Sequence, residues 1–153
     1  MSKNRGKDFE SKVSEAIKSL GICIERLYDV TSGHLGIHTP SDFIAYKYPS
    51  MYYLECKSIT GNTLRIADIR QFDDLLVRSK YDGVFAGLLI WYIDCKETFW
   101  VDIRYINKIK NEGLKSLNRK NLEVENSNYV RLIDATYPRI YGKYDFSNFF
   151  SII

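Results

Sequence analysis

Three cysteines are the whole thiol content of this 153-residue chain, and Cys23, Cys56 and Cys95 form an odd set with no CxxC spacing. That count excludes a secreted disulfide framework and a cysteine-built zinc site, and it fits a reducing cytoplasm. Histidine is scarcer still: only His34 and His38 occur. Their i, i+4 spacing could hold a metal on a helix, but Gly33, Gly36 and Pro40 predict a loop there. Long apolar runs are also missing. The longest, Val84 to Ile93, is far too short to span a bilayer and reads as a buried strand, so no membrane partner is expected. No segment shows the basic, apolar and small-residue succession of a signal peptide. Neither sign of charge dominates, with 22 Lys and Arg against 19 Asp and Glu, net +3. That balance permits a nucleic-acid partner through a local patch without demanding one.

What is present is an ordinary core-forming composition, 45% apolar and 14% aromatic. A chain of this length buries roughly two-thirds of its unfolded surface without staples, and it shows no repeat, linker or low-complexity tract. One domain over 1–153 is the reading. From Gly6 to Leu20, Phe9, Val13, Ala16, Ile17 and Leu20 fall at helical spacing, and Gly21 ends the pattern. Ile22 to Tyr28 predicts a strand, and Thr31 to Ser41 a loop. Asp42 to Tyr46 and Met51 to Ser58 read as two strands joined across Pro49 and Ser50. Ile66, Ile69, Phe72, Leu75 and Leu76 predict an amphipathic helix running to about Lys80. Val84 to Ile93 and Thr98 to Ile103 form a hairpin, Tyr105 to Leu117 is weakly helical, and Val130 to Ile133 is a short strand. Tyr137 to Phe150 is aromatic-rich without a clear period. The fold class that accommodates this succession is α/β, a mixed central sheet with helices on both faces.

The segment Tyr52-Tyr53-Leu54-Glu55-Cys56-Lys57-Ser58 carries the chemistry. Strand side chains alternate, so Glu55 and Lys57 share one face while Leu54 and Cys56 take the other. Asp42, at the start of the preceding strand, lies beside them if the two strands pair. Two carboxylates and a lysine suit phosphodiester hydrolysis, because hard Mg²⁺ takes carboxylate oxygens and keeps waters beside a phosphate. A neighbouring ammonium orients the attacking water or stabilises charge developing on the phosphate. The triplet alone is a weak signal, since eight Glu and 13 Lys produce one Glu-x-Lys by accident, about one being the chance expectation. Indeed Glu10-Ser11-Lys12 is a second, helical instance. A solvated charge pair on an exposed strand face is the competing reading.

The arrangement resembles the PD-(D/E)xK, or restriction-endonuclease-like, nuclease superfamily, and within it the RecU type of Holliday junction resolvase, particularly phage-borne forms. Four stretches carry the likeness: Gly6 to Glu10, Thr39 to Phe43, Tyr53 to Ser58, and Thr63 through Gln71-Phe72. Val84 to Ile90 and Phe99 to Asp102 match the strand pair that closes such a core. The resemblance implies an Mg²⁺-dependent DNA endonuclease, with Mn²⁺ able to substitute, acting as a homodimer on branched DNA in recombination or repair. It implies that Asp42, Glu55 and the main-chain carbonyl of Cys56 hold the metal and that Lys57 positions the water. Glu10 matches an acidic position that completes such sites, and Gln71 a polar residue near the active centre or the DNA backbone. Lys3, Arg5, Lys7 and Ser41 are the candidate DNA contacts, the first three equally compatible with a solvated basic terminus. The RecU type has a long stalk insertion before its aspartate, where this chain has only the short loop from Tyr28 to Asp42. Ser41 stands where the motif's proline would be. A nuclease of the same fold acting on nicked, flapped or duplex DNA, and a non-enzymatic DNA-binding module, are the alternatives. His34 and His38 read as loop contacts to DNA or as residues without a role. The twelve tyrosines could stack on unpaired bases, but they suit sheet faces and a subunit contact better.

Overall fold

The computed structural model describes residues 4–28 and 38–151, so Lys3 and His34 lie outside the described residues. Helix α1 (Arg5–Ser19) buries Phe9, Val13 and Ile17, spaced four residues apart along one face. Gly21 ends it at φ 73°, with its amide on the Lys18 carbonyl at 2.9 Å. Strand β1 (Cys23–Arg26) then pairs antiparallel with β2 (Phe43–Lys47), and β2 pairs antiparallel with β3 (Ser50–Ile59). Strand β5 (Val84–Tyr92) lies parallel to β3, and β6 (Glu97–Asp102) and β8 (Val130–Leu132) complete a six-stranded sheet in the order β1-β2-β3-β5-β6-β8. The sheet is mixed, as the element succession predicts.

The parallel step from β3 to β5 requires a crossover, and here expectation and structure part. A continuous helix from Ile66 to Lys80 is not formed. Instead β4 (Thr63–Arg65) pairs with β7 (Ser116–Asn118), and the Ile66 amide donates to the Lys115 carbonyl at 2.9 Å. A single 3₁₀ turn (Ile66–Asp68) follows, and α2 spans only Phe72–Arg78. The helix is interrupted at Ile69, whose backbone is extended (φ −87°, ψ 91°), after a segment that pairing with β7 holds extended up to Arg65. Ile66, Ile69, Phe72 and Leu75 recur every three residues, a spacing that a 3₁₀ turn followed by a short helix buries on one face as well as a long helix does.

Helix α3 (Ile103–Asn111) starts on buried Asp102, whose carboxylate accepts from the Arg104 amide at 2.9 Å and from the Arg104 guanidinium at 2.8 Å. It stops before Gly113, at φ 93°. Helix α4 (Arg119–Glu125) caps on Asn118, and β9 (Asp134–Thr136), β10 (Lys143–Asp145) and α5 (Ser147–Ser151) close the chain. Each sheet face has its own apolar cluster. One joins α1 and the C-terminal aromatics to Phe43, Leu54, Cys56, Leu89 and Trp91. The other joins α2 and α3 to Ala86, Leu88, Ile90 and Val101.

Gly87 lies where β5 and β6 approach most tightly, opposite Asp102. A Cβ there would collide with the Val101 carbonyl oxygen and meet the Trp100 ring at 2.9 Å. Gly87→Ala is therefore expected to destabilise the protein by about 1–3 kcal/mol, the usual penalty of overpacking, measured as a shift of the urea midpoint without change in slope.

Candidate active site

The alternation inferred for β3 is realised. Leu54 and Cys56 pack on the α1 side, while Glu55 and Lys57 pair in register with Leu88 and Ile90, which belong to the opposite cluster. Phe43 pairs with Leu54, so the next antiparallel step sets Asp42 across from Glu55. The ladder has ended there, and the Asp42 side chain takes over its bonding: Oδ2 accepts from the Cys56 amide at 2.9 Å. The N–H and C=O of one strand residue point to the same edge, so the Cys56 carbonyl also faces the Asp42 edge. Leu27 fixes Asp42 from the other side by donating its amide to the Asp42 carbonyl at 2.8 Å.

Glu55 is 4% exposed. Its Oε1 lies 3.7 Å from Lys57 Nζ, and its Oε2 is buried with no hydrogen-bond partner. A buried carboxylate with one oxygen unmet is costly unless a ligand completes it. Burial, and next the charge of Asp42, push the Glu55 carboxyl up to about 8, against the pull of Lys57. Asp42 is raised in the same direction, by burial first, with the Cys56 amide opposing and the Glu10 charge adding to it. The site is thus a pair of desolvated carboxylates that repel each other, and a cation shared between them would relieve both costs.

Glu10 on α1 joins the electrostatic cluster, because its charge acts on both carboxylates, but its side chain is committed to Arg26 Nη2 at 2.5 Å. Arg26 also interacts electrostatically with Asp42 and stacks its guanidinium against the Phe43 ring, 5.4 Å from the centroid. Reading the sequence alone missed Arg26. The available signal was that its β1 position pairs with Phe43, next to Asp42, which only strand register discloses. Among the described residues no three His, Cys, Asp or Glu side chains form a metal cage by themselves.

The other candidates are dispersed. Gln71 precedes α2, and its Oε1 is buried without a partner, on the sheet face that Glu55 and Lys57 share. No contact among the described residues ties it to the carboxylates. Ser41 is 1% exposed and donates its hydroxyl to the Phe43 carbonyl at 2.9 Å. In this structure its hydroxyl serves the entry into β2. Arg5 and Lys7 lie on the first turns of α1, Lys7 exposed. His38 is exposed in the loop before β2. Cys56 is buried, which pushes its thiol up and leaves its main chain as the part that serves the site.

No family model matches the chain, and no curated protein matches it. Among solved structures it is similar to Hjc, a Holliday junction resolvase from the archaeal hyperthermophile Archaeoglobus fulgidus, determined at 1.6 Å resolution. The TM-score is 0.50 at 15% identity, over 65% of this chain and 78% of that one. At that identity the likeness is one of fold: this chain has the restriction-endonuclease-like architecture, a central mixed sheet flanked by helices.

Proposed function

We propose that this protein is a metal-dependent, structure-selective DNA endonuclease that cuts branched DNA. The observation that carries the reading is the pairing of Asp42, anchored on the Cys56 amide, with buried Glu55 across from it, whose Oε2 has no partner. Lys57 adds the amine, on the Glu55 side of the sheet. The shared architecture with a protein described as a Holliday junction resolvase supports the same assignment.

Asp42, Glu55 and the Cys56 carbonyl are the groups that would hold Mg²⁺ or Mn²⁺. When bound, such an ion supplies Lewis-acid polarisation of the scissile phosphate and acidifies a coordinated water. The protein's own share is orientation. The Cys56 amide fixes the rotamer of Asp42, and burial keeps Glu55 where water cannot dissipate its field. Lys57, beside Glu55 Oε1, holds the attacking water or neutralises charge gathering on the phosphate oxygens. Glu10 and Arg26 form an ion pair beside this group and set the field at Asp42 without leaving a free carboxylate there.

Action as a homodimer on four-way junctions, as in the RecU type, extends the proposal. The short segment from Tyr28 to Asp42, where RecU enzymes have a stalk, favours a second reading with other branched or flapped DNA as the substrate. A cleavage assay decides. End-labelled four-way junction, flap and blunt duplex are each offered with Mg²⁺, Mn²⁺ or EDTA. We expect metal-dependent cutting of branched substrates over blunt duplex by at least about tenfold, or 1.4 kcal/mol of discrimination. Symmetric paired nicks confined to the junction assign resolvase action, and cutting of flaps assigns the second reading. No metal-dependent cutting of any substrate refutes both.

A further inference from the structure

A concavity of about 810 Å³ lies apart from the carboxylate site. It is a groove between the 63–73 segment and the 110–116 segment, where α3 ends and β7 begins. Its rim holds four cations, Arg65, Arg70, Lys110 and Lys115, and one anion, Asp73. Four cations against one anion leave this rim basic on a chain whose 22 basic and 19 acidic residues nearly balance. Concentrating charge in a concave site is how a neutral-looking protein acquires an anion-binding surface.

Two of the four cations are already engaged. Arg65 is paired with Asp68 at 2.9 Å, and the Lys110 ammonium sits 4.4 Å from the Phe72 ring centroid. Among the described residues, Arg70 and Lys115 have no ionic or hydrogen-bonding partner for their side chains. The floor beneath them is aliphatic: Ile66, Ile69 and Leu114, the last 49% exposed. The groove lies on the side of the sheet that Glu55 and Lys57 share, because Ile66, Ile69 and Phe72 pack in one cluster with Leu88 and Ile90, the register partners of Glu55 and Lys57.

We propose that this groove binds an unpaired strand of the DNA substrate, with phosphates on Arg70 and Lys115 and base or sugar faces on the aliphatic floor. A duplex offers phosphates but keeps its apolar base faces stacked inside, so it cannot cover the exposed Leu114. An unpaired strand presents both chemistries at once. The inference rests on the nuclease reading for its substrate and deepens it: the preferred branched DNA has a single-stranded segment near the cut, as in a flap or fork.

The test is fluorescence anisotropy in EDTA, which separates holding a strand from cutting it. A labelled oligothymidylate and a labelled blunt hairpin are titrated with the parental protein, with Arg70→Gln/Lys115→Gln, and with Leu114→Ser. Thermal melts establish that the variants fold. The expected result is that the double variant loses about tenfold in oligothymidylate affinity and about 1.4 in the slope of log affinity against log salt, the value for two phosphates of a single strand. Leu114→Ser should weaken the oligonucleotide several-fold at unchanged slope. Hairpin binding should not move. Parental protein that ignores oligothymidylate, or variants that bind it like the parent, overturns the proposal while leaving the cleavage assay to judge the nuclease reading. If the variants instead lose only an acidic Glu/Leu peptide, with oligonucleotide binding unmoved, the groove belongs to a protein partner and the proposal is overturned. A protein that holds the strand through this groove but cuts nothing refutes the nuclease reading alone.

Discussion

Asp42→Asn is expected to lower kcat/KM for branched DNA by at least about 10³-fold, several kcal/mol of transition-state stabilisation at 1.4 kcal/mol per decade. Asparagine is the informative replacement, because its side-chain oxygen still accepts the Cys56 amide at the 2.9 Å position that Asp42 Oδ2 holds. Asp42→Ala would also leave that amide without an acceptor in a partly buried place, adding about 1–3 kcal/mol of instability that confuses the result. With the fold kept and one charge removed, DNA binding measured in EDTA should stay within about twofold of the parent. Lys57→Ala should also slow cutting sharply, but should leave Mn²⁺ affinity nearly unchanged by calorimetry, since an ammonium is no metal ligand. Asp42→Asn protein that cuts within tenfold of the parental rate would remove the carboxylate pair from the chemistry.

The site was more legible in the sequence than the fold around it, for a physical reason. Side-chain alternation in a strand is a strict period of two. Placing Glu55 and Lys57 on one face and Leu54 and Cys56 on the other therefore required only that 50–59 be extended. Asp42 required one further assumption, antiparallel pairing of neighbouring strands, which a short connection favours. Arg26 stayed hidden because it needs the register of a third strand across a loop. The helix expected over 66–80 is broken at the extended Ile69, just after Thr63–Arg65 pair with β7, about fifty residues further on, and no local pattern announces a non-local pairing. Three-residue strands such as β4, β7, β9 and β10 are too short for any periodicity to emerge. The aromatic C-terminal stretch is a related case. Phe149 and Phe150 bury themselves against Tyr52 and Trp100, with Phe146 packed on both, through ring contacts that depend on β3 and β6 being in place. The groove at Arg70 and Lys115 was likewise invisible, because its two walls are some forty residues apart and meet only through the β4–β7 pairing.

The second large effect is a pH dependence of stability in the metal-free protein, opposite in sign to that given by a salt-bridged surface carboxylate. Glu55 is raised from the ordinary 4.5 to about 8 in the folded chain, by burial first and by the charge of Asp42 second. Between those two values the native state therefore binds more protons at this position than the unfolded state does. Stability from this group is full below about pH 4.5 and is lost as pH rises through 8. The complete loss is on the order of 4–5 kcal/mol. For a chain of this size it lowers Tm by about 8–20 °C, at about 2–4 °C per kcal/mol. Glu55→Gln, which cannot ionise, should flatten most of the decline between pH 5 and 8.5 and should be more stable than the parent at the alkaline end. A divalent ion should act in the reverse sense. It binds the ionised pair, so 10 mM Mg²⁺ or Ca²⁺ should raise Tm at pH 8.5, through about 2.7 kcal/mol of added stability if that concentration is 100 times Kd. At pH 5, where protons hold the same oxygens, it should raise Tm little. Parallel Tm profiles for parent and Glu55→Gln, or equal stabilisation by the ion at both pH values, would show that Glu55 is not the buried, proton-holding half of a cation site.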